Sequence, residues 1–128
     1  MRRLLLIGSL ALASCVGINS APYDAPTYSY QGIDLSATLS GRLAVRDGCL
    51  GLIDSENRLF QLIWPDRSLF KSDGVSFDNN KIARRIPFGT TIKLFGGFNE
   101  LSPANAASYG TEKCLGEAFL INSVELAQ

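Results

Sequence analysis

The sequence contains no histidine, and this absence narrows the chemistry that the chain can support. Histidine is the most common general base and the most common metal ligand in proteins. The chain also lacks the glycine-rich nucleotide-binding motifs, a G-x-S-x-G nucleophile elbow and any pairing of Ser or Cys with His. We therefore expect a protein that is not an enzyme and that carries neither a metal nor a cofactor.

The sequence also lacks an excess of positive or negative charge, because 12 basic and 12 acidic residues give no net charge. A nucleic-acid-binding domain normally carries a basic stripe, so we expect no nucleic-acid partner. Six of the 12 acidic residues could supply the two carboxylates of a glycosidase, but we interpret each as a turn or surface residue: Asp47, Asp54, Glu56, Glu100, Glu112 and Glu117. Asp73, Asp78 and Asn80 lack the glycine and final Glu of an EF-hand loop, so we also interpret them as turn residues.

No apolar run is long enough for a membrane-spanning helix, which needs about 20 residues. The uncharged stretch 4–13, which follows Arg2-Arg3, instead has the length of a signal-peptide core. It leads into Leu12-Ala13-Ser14-Cys15, the lipobox pattern of bacterial lipoproteins. We predict a signal peptide over 1–14 and lipid, including palmitate, on Cys15, because stable anchoring takes more than one acyl chain. Ordinary secretion is the alternative, since Ala11-Leu12-Ala13 resembles a signal-peptidase site.

The residue after Cys15 is Val16 and not Asp. In Gram-negative lipoproteins an Asp at this position is the usual signal for retention at the inner membrane. For a Gram-negative host, the sequence therefore predicts an anchor in the outer membrane, on its periplasmic face.

Assigning Cys15 to lipid leaves Cys49 and Cys114 as a pair in an oxidising compartment. We predict a disulfide between them, which on the chain-entropy model stabilises the fold by about 4 kcal/mol. Two free buried thiols are the alternative. A zinc site is less favoured, because zinc prefers four ligands.

Residues 15–35 are predicted to form a lipidated tether, because glycine, proline, asparagine and serine are frequent there. Tyr23, Tyr28 and Tyr30 interrupt it. They fit an aromatic strip that contacts a partner or the membrane interface. They also fit a spacer whose last tyrosines pack back onto the domain, which we favour because scattered apolar residues are common in linkers.

An alternating pattern of apolar and polar residues predicts β-strands after residue 36. Strands at 39–46, 49–53 and 58–64 form a meander over 38–64, with a hairpin turn at Asp47-Gly48 and Pro65 as its end.

The second half of the chain predicts fewer and shorter strands. We expect short strands at 75–77 and 82–86 and a clear strand at 90–95 that Gly96-Gly97 stops or bulges. A long polar loop follows over 98–116, with one helical turn at 105–109. The last strand, 118–126, is expected to place Leu120, Val124 and Leu126 on one face and Phe119 and Ile121 on the other.

No amphipathic helix of useful length interrupts these strands, so the fold class is all-β. Five short strands with two long connections favour a small OB-like barrel over residues 36–128.

Several short segments resemble small OB-like domains of bacterial envelope proteins whose function is uncharacterised. The segments are Gly41-Arg42-Leu43, Gly48-Cys49-Leu50, Leu62-Ile63-Trp64-Pro65, Phe88-Gly89-Thr90-Thr91-Ile92, Leu94-Phe95-Gly96-Gly97 and Cys114. The resemblance implies the barrel and supports the cysteine pairing. It implies no activity.

A binding face is the remaining candidate site. Trp64 fits a stacking platform, although we favour a core position because large aromatic residues dominate core burial. Arg42, Arg46 and Arg58 fit one outer face of the meander, which is either solvated or a patch for carboxylates. We therefore expect a non-enzymatic envelope module for a protein or glycan partner. The alternative is an envelope hydrolase or an inhibitor of one, which two carboxylates clustered with Trp64 would favour.

Overall fold

The computed structural model describes residues 22–29, 36–79 and 82–126, and within these ranges it is built from β-strands. The nine strands are β1 (Thr27–Tyr28), β2 (Ala37–Arg46), β3 (Cys49–Ile53), β4 (Leu59–Pro65), β5 (Leu69–Lys71), β6 (Gly74–Asn79), β7 (Ile82–Pro87), β8 (Thr91–Leu101) and β9 (Gly116–Leu126). The described ranges contain one helix, the 3-10 turn Ala106–Tyr109, and no helix able to cross a bilayer. The predicted all-β class is confirmed.

The meander of β2, β3 and β4 follows the predicted turns. Asp47 and Gly48 have φ values of 55° and 79°, the left-handed conformation that a two-residue hairpin needs. Pro65 is the last residue of β4, as predicted, and it still pairs in parallel with Tyr28 of β1. The bonds to β1 come from the flanking amides of Trp64 and Asp66, so the missing amide proton of Pro65 is not required.

Five strands form a closed cycle of pairings. The meander pairs through β2 with β8, β8 pairs with β9, and β9 returns to β4 in parallel. The apolar side chains inside this ring form the main core, in which Leu43, Leu52, Leu62 and Ile92 are fully buried. Burial of such side chains is the main favourable term in folding.

A β-bulge in β9 changes the expected faces of the last strand. Phe95 pairs with Ser123 and Gly96 with Ile121, so Asn122 is an extra residue between them. Before the bulge the odd-numbered side chains of β9 point into the ring, and after it the even-numbered ones do. The same core therefore contains Phe119, Ile121, Val124 and Leu126. The prediction that Phe119 and Ile121 face away from Val124 and Leu126 is therefore wrong.

The same bulge lets β8 continue past the two glycines, so the loop predicted from residue 98 starts later, after Leu101. Gly96 is needed where β8 passes close to the backbone of β9, because a Cβ at this position would lie 1.8 Å from the carbonyl oxygen of Leu120. The predicted helical turn is present as the 3-10 turn.

A second sheet of β5, β6 and β7 covers one end of the ring. Its inner face places Phe70, Val75, Phe77 and Ile86 against the main core. Strand β5 was not predicted, because its short run of residues carries no clear alternation.

The segment 22–29, which lies within the predicted tether, is part of the fold. The amide of Asp24 donates to the carbonyl of Gly48, just before β3. The carbonyl of Asp24 accepts a hydrogen bond from the amide of Leu50 in β3. Strand β1 then pairs with the end of β4. The N-terminal segment thus lies between β3 and β4, and the folded domain includes residues before position 36.

Candidate functional site

The predicted disulfide is confirmed. Cys49 and Cys114 are bonded, with their Cα atoms 5.7 Å apart and both side chains buried. The bond ties the start of β3 to the loop before β9. Cys15, the predicted lipidation site, lies outside the described residues.

Trp64 lies in the core and not on a binding face. Its side chain is fully buried, and its ring makes edge contacts with Phe70 and Phe77, at centroid distances of 6.2 and 5.9 Å. A ring with no exposed face cannot stack on a ligand, so the core position that we favoured is the correct interpretation.

The tyrosines of the N-terminal segment pack onto the domain. The buried Tyr23 donates from its hydroxyl to the carbonyl of Lys71 at 2.7 Å, and desolvation raises its pKa above the ordinary tyrosine value. The hydroxyl of Tyr28 donates to the carbonyl of Ile121 at 2.7 Å. Tyr30 lies outside the described residues.

The three candidate arginines do not act as one patch. Arg42 and Arg46 stand at alternate positions of β2, and Arg46 donates to the side-chain oxygen of Asn57 at 3.3 Å. Arg58, just before β4, instead lines a surface groove that the other two do not reach.

This groove, which we call the Phe98 groove, is the candidate functional site. It has a volume of about 430 Å³. Its lining residues come from the beginning of β2 and β4 and from the paired ends of β8 and β9: Leu39, Arg58, Phe60, Phe98, Asn99, Glu100, Glu117 and Ala118.

Phe98 gives the groove an exposed aromatic floor. Its side chain is 59% exposed although it belongs to a β-strand that closes the ring. Its ring packs edge-on against Phe119 at 5.0 Å and lies 6.1 Å from Phe60, centroid to centroid. These contacts hold Phe98 in place while leaving much of it open to solvent. The sequence prediction missed this residue, because it was assigned to a polar loop.

The rim of the groove is charged, with an acidic excess. Glu100 and Glu117 pair directly across β8 and β9. The Arg58 guanidinium lies 5.4 Å from the centre of the Phe60 ring and forms ion pairs with Asp54 at 3.0 Å and Glu56 at 3.4 Å.

These ion pairs shift the pKa of both partners in the direction that favours their charged forms. Hydrogen bonding to the Asp54 carboxylate raises the pKa of Arg58. Hydrogen bonds from the amide and guanidinium of Arg58 lower the pKa of Asp54. Glu117 adds to the rise in the pKa of Arg58. One guanidinium shared among these acids does not neutralise the groove, so Glu100 and Glu117 leave it with net negative charge.

The described residues contain no group of three or more His, Cys, Asp or Glu side chains that could hold a metal ion. Asp73, one of three residues considered as calcium ligands, forms an ion pair with Arg85. The side chains of Asp78 and Asn80 lie outside the described set. The geometry therefore supports noncovalent binding of a ligand that places an apolar group on Phe98 and a cationic group beside the two glutamates.

Comparison with known proteins finds no family model, no curated protein and no solved structure that matches this chain.

Proposed function

We propose that this chain is a lipid-anchored protein of the bacterial cell envelope whose domain binds a protein partner in the Phe98 groove without catalysing a reaction. The observation that carries the proposal is the 59% exposure of Phe98, a large aromatic side chain in a strand that buries Ile92, Leu94 and Leu101. An exposed large aromatic residue with a charged rim is typical of an interaction site.

The proposed fold of the domain is an OB-like barrel. A three-stranded meander that is closed by two further strands agrees with the five-stranded Greek-key arrangement of that fold. OB-folds commonly use a side of the barrel and its adjoining loops to bind ligands. The proposal places the binding groove of this domain at the ends of β8 and β9.

The proposed anchor is a lipid on Cys15, and the proposed location is the periplasmic face of the outer membrane. The lipobox supports the anchor, and Val16 after the cysteine supports the location. The disulfide agrees with an oxidising compartment, where such bonds persist. Labelled palmitate should be incorporated into the wild-type chain and not into Cys15→Ser. Equal labelling of the two chains would contradict the anchor.

The proposed partner is a protein segment that presents an apolar side chain next to a lysine or arginine. Phe98 would contact the apolar group, and Glu100 and Glu117 would attract the cation. Co-isolation from solubilised membranes tests this idea. Phe98→Ser and Glu117→Gln should each reduce recovery of the partner, whereas Thr91→Ser, an exposed position on the same strand, should not. Equal recovery with all three variants would contradict the proposal.

A hydrolase that uses two carboxylates is the second candidate. The pairing of Glu100 with Glu117 in one groove favours it, because glycosidases need two carboxyl groups near the scissile bond. Trp64 does not join them, since it lies in the core. The purified chain would then release reducing ends from envelope glycans, and both Glu100→Gln and Glu117→Gln would abolish that release. No release by the wild-type chain would exclude this candidate.

A further inference from the structure

The outer face of the second sheet carries basic side chains around an exposed leucine. Residues on either side of Phe70 point away from the core, and Leu69 is 61% exposed. Arg67 and Lys71 flank it in the alternating pattern and are exposed as well. Neither forms an ion pair with any acid among the described residues.

The neighbouring strands extend this face. Leu69 pairs with Ser76, which pairs with Arg85, and all three therefore share the outer side of the sheet. Arg85 is exposed and forms an ion pair with Asp73 at the β5–β6 turn. We call the surface formed by Arg67, Leu69, Lys71 and Arg85 the basic face.

The basic face lies where the N-terminal segment enters the domain. The hydroxyl of Tyr23 donates to the carbonyls of Lys71 and Gly74, at 2.7 and 3.3 Å. The Tyr23 ring packs edge-on against Phe70, on the inner side of the same sheet. The chain that leads back to Cys15 is thus held against the second sheet at Tyr23.

The distance available between Cys15 and the domain is short. An extended chain advances at most ~3.6 Å per residue, so the stretch from Cys15 to Pro22 reaches about 25 Å. This is less than about 30 Å, the diameter of a small domain. A lipid on Cys15 would therefore keep the end of the domain that carries Tyr23 and the basic face close to the bilayer.

We infer that the basic face rests on the anionic phospholipid headgroups of the membrane that holds the anchor, an inference that depends on the lipid anchor proposed above. Arg67 and Lys71 supply unpaired positive charge, which anionic headgroups attract at short range. Leu69 lies between these cations and can enter the interfacial region as an apolar contact.

This orientation directs the Phe98 groove away from the membrane. Phe60 lines the groove, whereas Trp64 contacts the second sheet. The two residues are an even number of positions apart in β4, so their side chains share one face of that strand. Four residue steps along the β-strand separate Phe60 from Trp64, a distance of about 13 Å. The basic face and the groove therefore lie at opposite ends of β4, and the groove is open to a partner in the aqueous compartment.

Hydrogen exchange of the lipidated full-length chain in vesicles tests the orientation. The vesicles contain phosphatidylcholine alone or with roughly 30% phosphatidylglycerol. We expect the amides of β5, an edge strand, to exchange at least about fivefold more slowly in the anionic vesicles. Arg67→Gln/Lys71→Gln should remove this protection. Arg42→Gln/Arg46→Gln, which removes the same charge from β2, should retain it.

Two outcomes would overturn the inference. One is an equal β5 exchange rate in the two vesicle types, and the other is protection that survives Arg67→Gln/Lys71→Gln. Flotation with the vesicles separates this failure from failure of the anchor. An anchored chain floats with both vesicle types whatever its orientation, whereas a chain that does not float lacks the anchor and also contradicts the proposed function.

Discussion

Glu100 and Glu117 lie directly opposite each other in the antiparallel register of β8 and β9. Like charges in this arrangement destabilise a sheet, so Glu100→Gln should raise the free energy of unfolding by about 0.2–1 kcal/mol. Urea unfolding at low salt measures the change. The matched control is Glu125→Gln, which removes a carboxylate that faces Lys93 in the same pair of strands and should lower stability by a similar amount. A stability loss in Glu100→Gln would show that the two glutamates do not repel each other in the folded chain.

When a substitution that removes a charge stabilises the fold but weakens binding, the original residue is typically one that serves function. The proposed role of the groove therefore predicts that Glu100→Gln is more stable than the wild type but recovers less partner in the co-isolation experiment.

The Cys49–Cys114 disulfide should contribute strongly to stability, because it closes a loop with a sequence separation of 65. Replacing both cysteines with alanine should lower the free energy of unfolding by about 2–5 kcal/mol. Urea unfolding with and without reductant measures the loss, and reductant should not change the double variant. Cys15→Ser serves as the control and should unfold like the wild type. An unchanged midpoint in the double variant would contradict the structural role of the bond.

Gly96→Ala should be the most damaging glycine substitution tested, because its Cβ would meet the backbone oxygen of Leu120 at 1.8 Å. Strand β9 would have to move, and we expect a loss of more than about 3 kcal/mol or a failure to fold. Gly110→Ala is the comparison. It has open space but a φ of 80°, so it should lose only about 1–2 kcal/mol. Similar losses in the two variants, measured by thermal unfolding, would argue against the close crossing at Gly96.

Tyr23 should make stability sensitive to alkaline pH. Its pKa is raised in the folded chain by desolvation, so the folded state holds the hydroxyl proton more tightly than the unfolded state does. The resulting stability is present below the ordinary tyrosine pKa of about 10 and is lost as the pH rises through the folded-state pKa. Tyr23→Phe should lose about 1 kcal/mol at neutral pH, where its hydrogen bond to Lys71 is missing.

Unfolding of the wild type and Tyr23→Phe between about pH 7 and pH 11 checks this prediction, together with the ultraviolet absorbance of tyrosinate. The part of the wild-type tyrosinate absorbance that appears at the high-pH end of the titration should be smaller in Tyr23→Phe. If the stability difference between the two chains stays constant across this range, Tyr23 titrates as it does in the unfolded chain.

The sequence predicts the meander well because its signals are local. Asp47-Gly48 specifies the hairpin turn, and the alternation identifies the more buried face of β2 from Leu39 to Leu43, although Val45 at the end of the pattern is exposed. The disulfide followed from the cysteine count. These features need no knowledge of what lies across the sheet.

The features that the sequence did not predict depend on contacts between distant segments. The extra residue Asn122 can be recognised only from its register against Phe95 and Gly96, and it reverses the inward face of β9. Parallel pairing of β1 with β4 likewise leaves no local pattern. The groove was missed for the same reason, since Phe98 belongs to the part of β8 whose pairing with β9 resumes beyond that bulge. Its one sequence signal was an aromatic residue directly after two glycines.

Photo-crosslinking in intact cells from position 98 tests most directly whether the Phe98 groove binds a protein partner. A photoreactive phenylalanine analogue in place of Phe98 in the full-length chain would lie in the groove, and the same analogue in place of Thr91 would lie on an exposed part of the same strand. A binding role for the groove predicts one discrete protein adduct from position 98, absent from position 91 and weakened by Glu117→Gln. Identical adduct patterns at the two positions, or no adduct at position 98, would contradict a binding role for the groove.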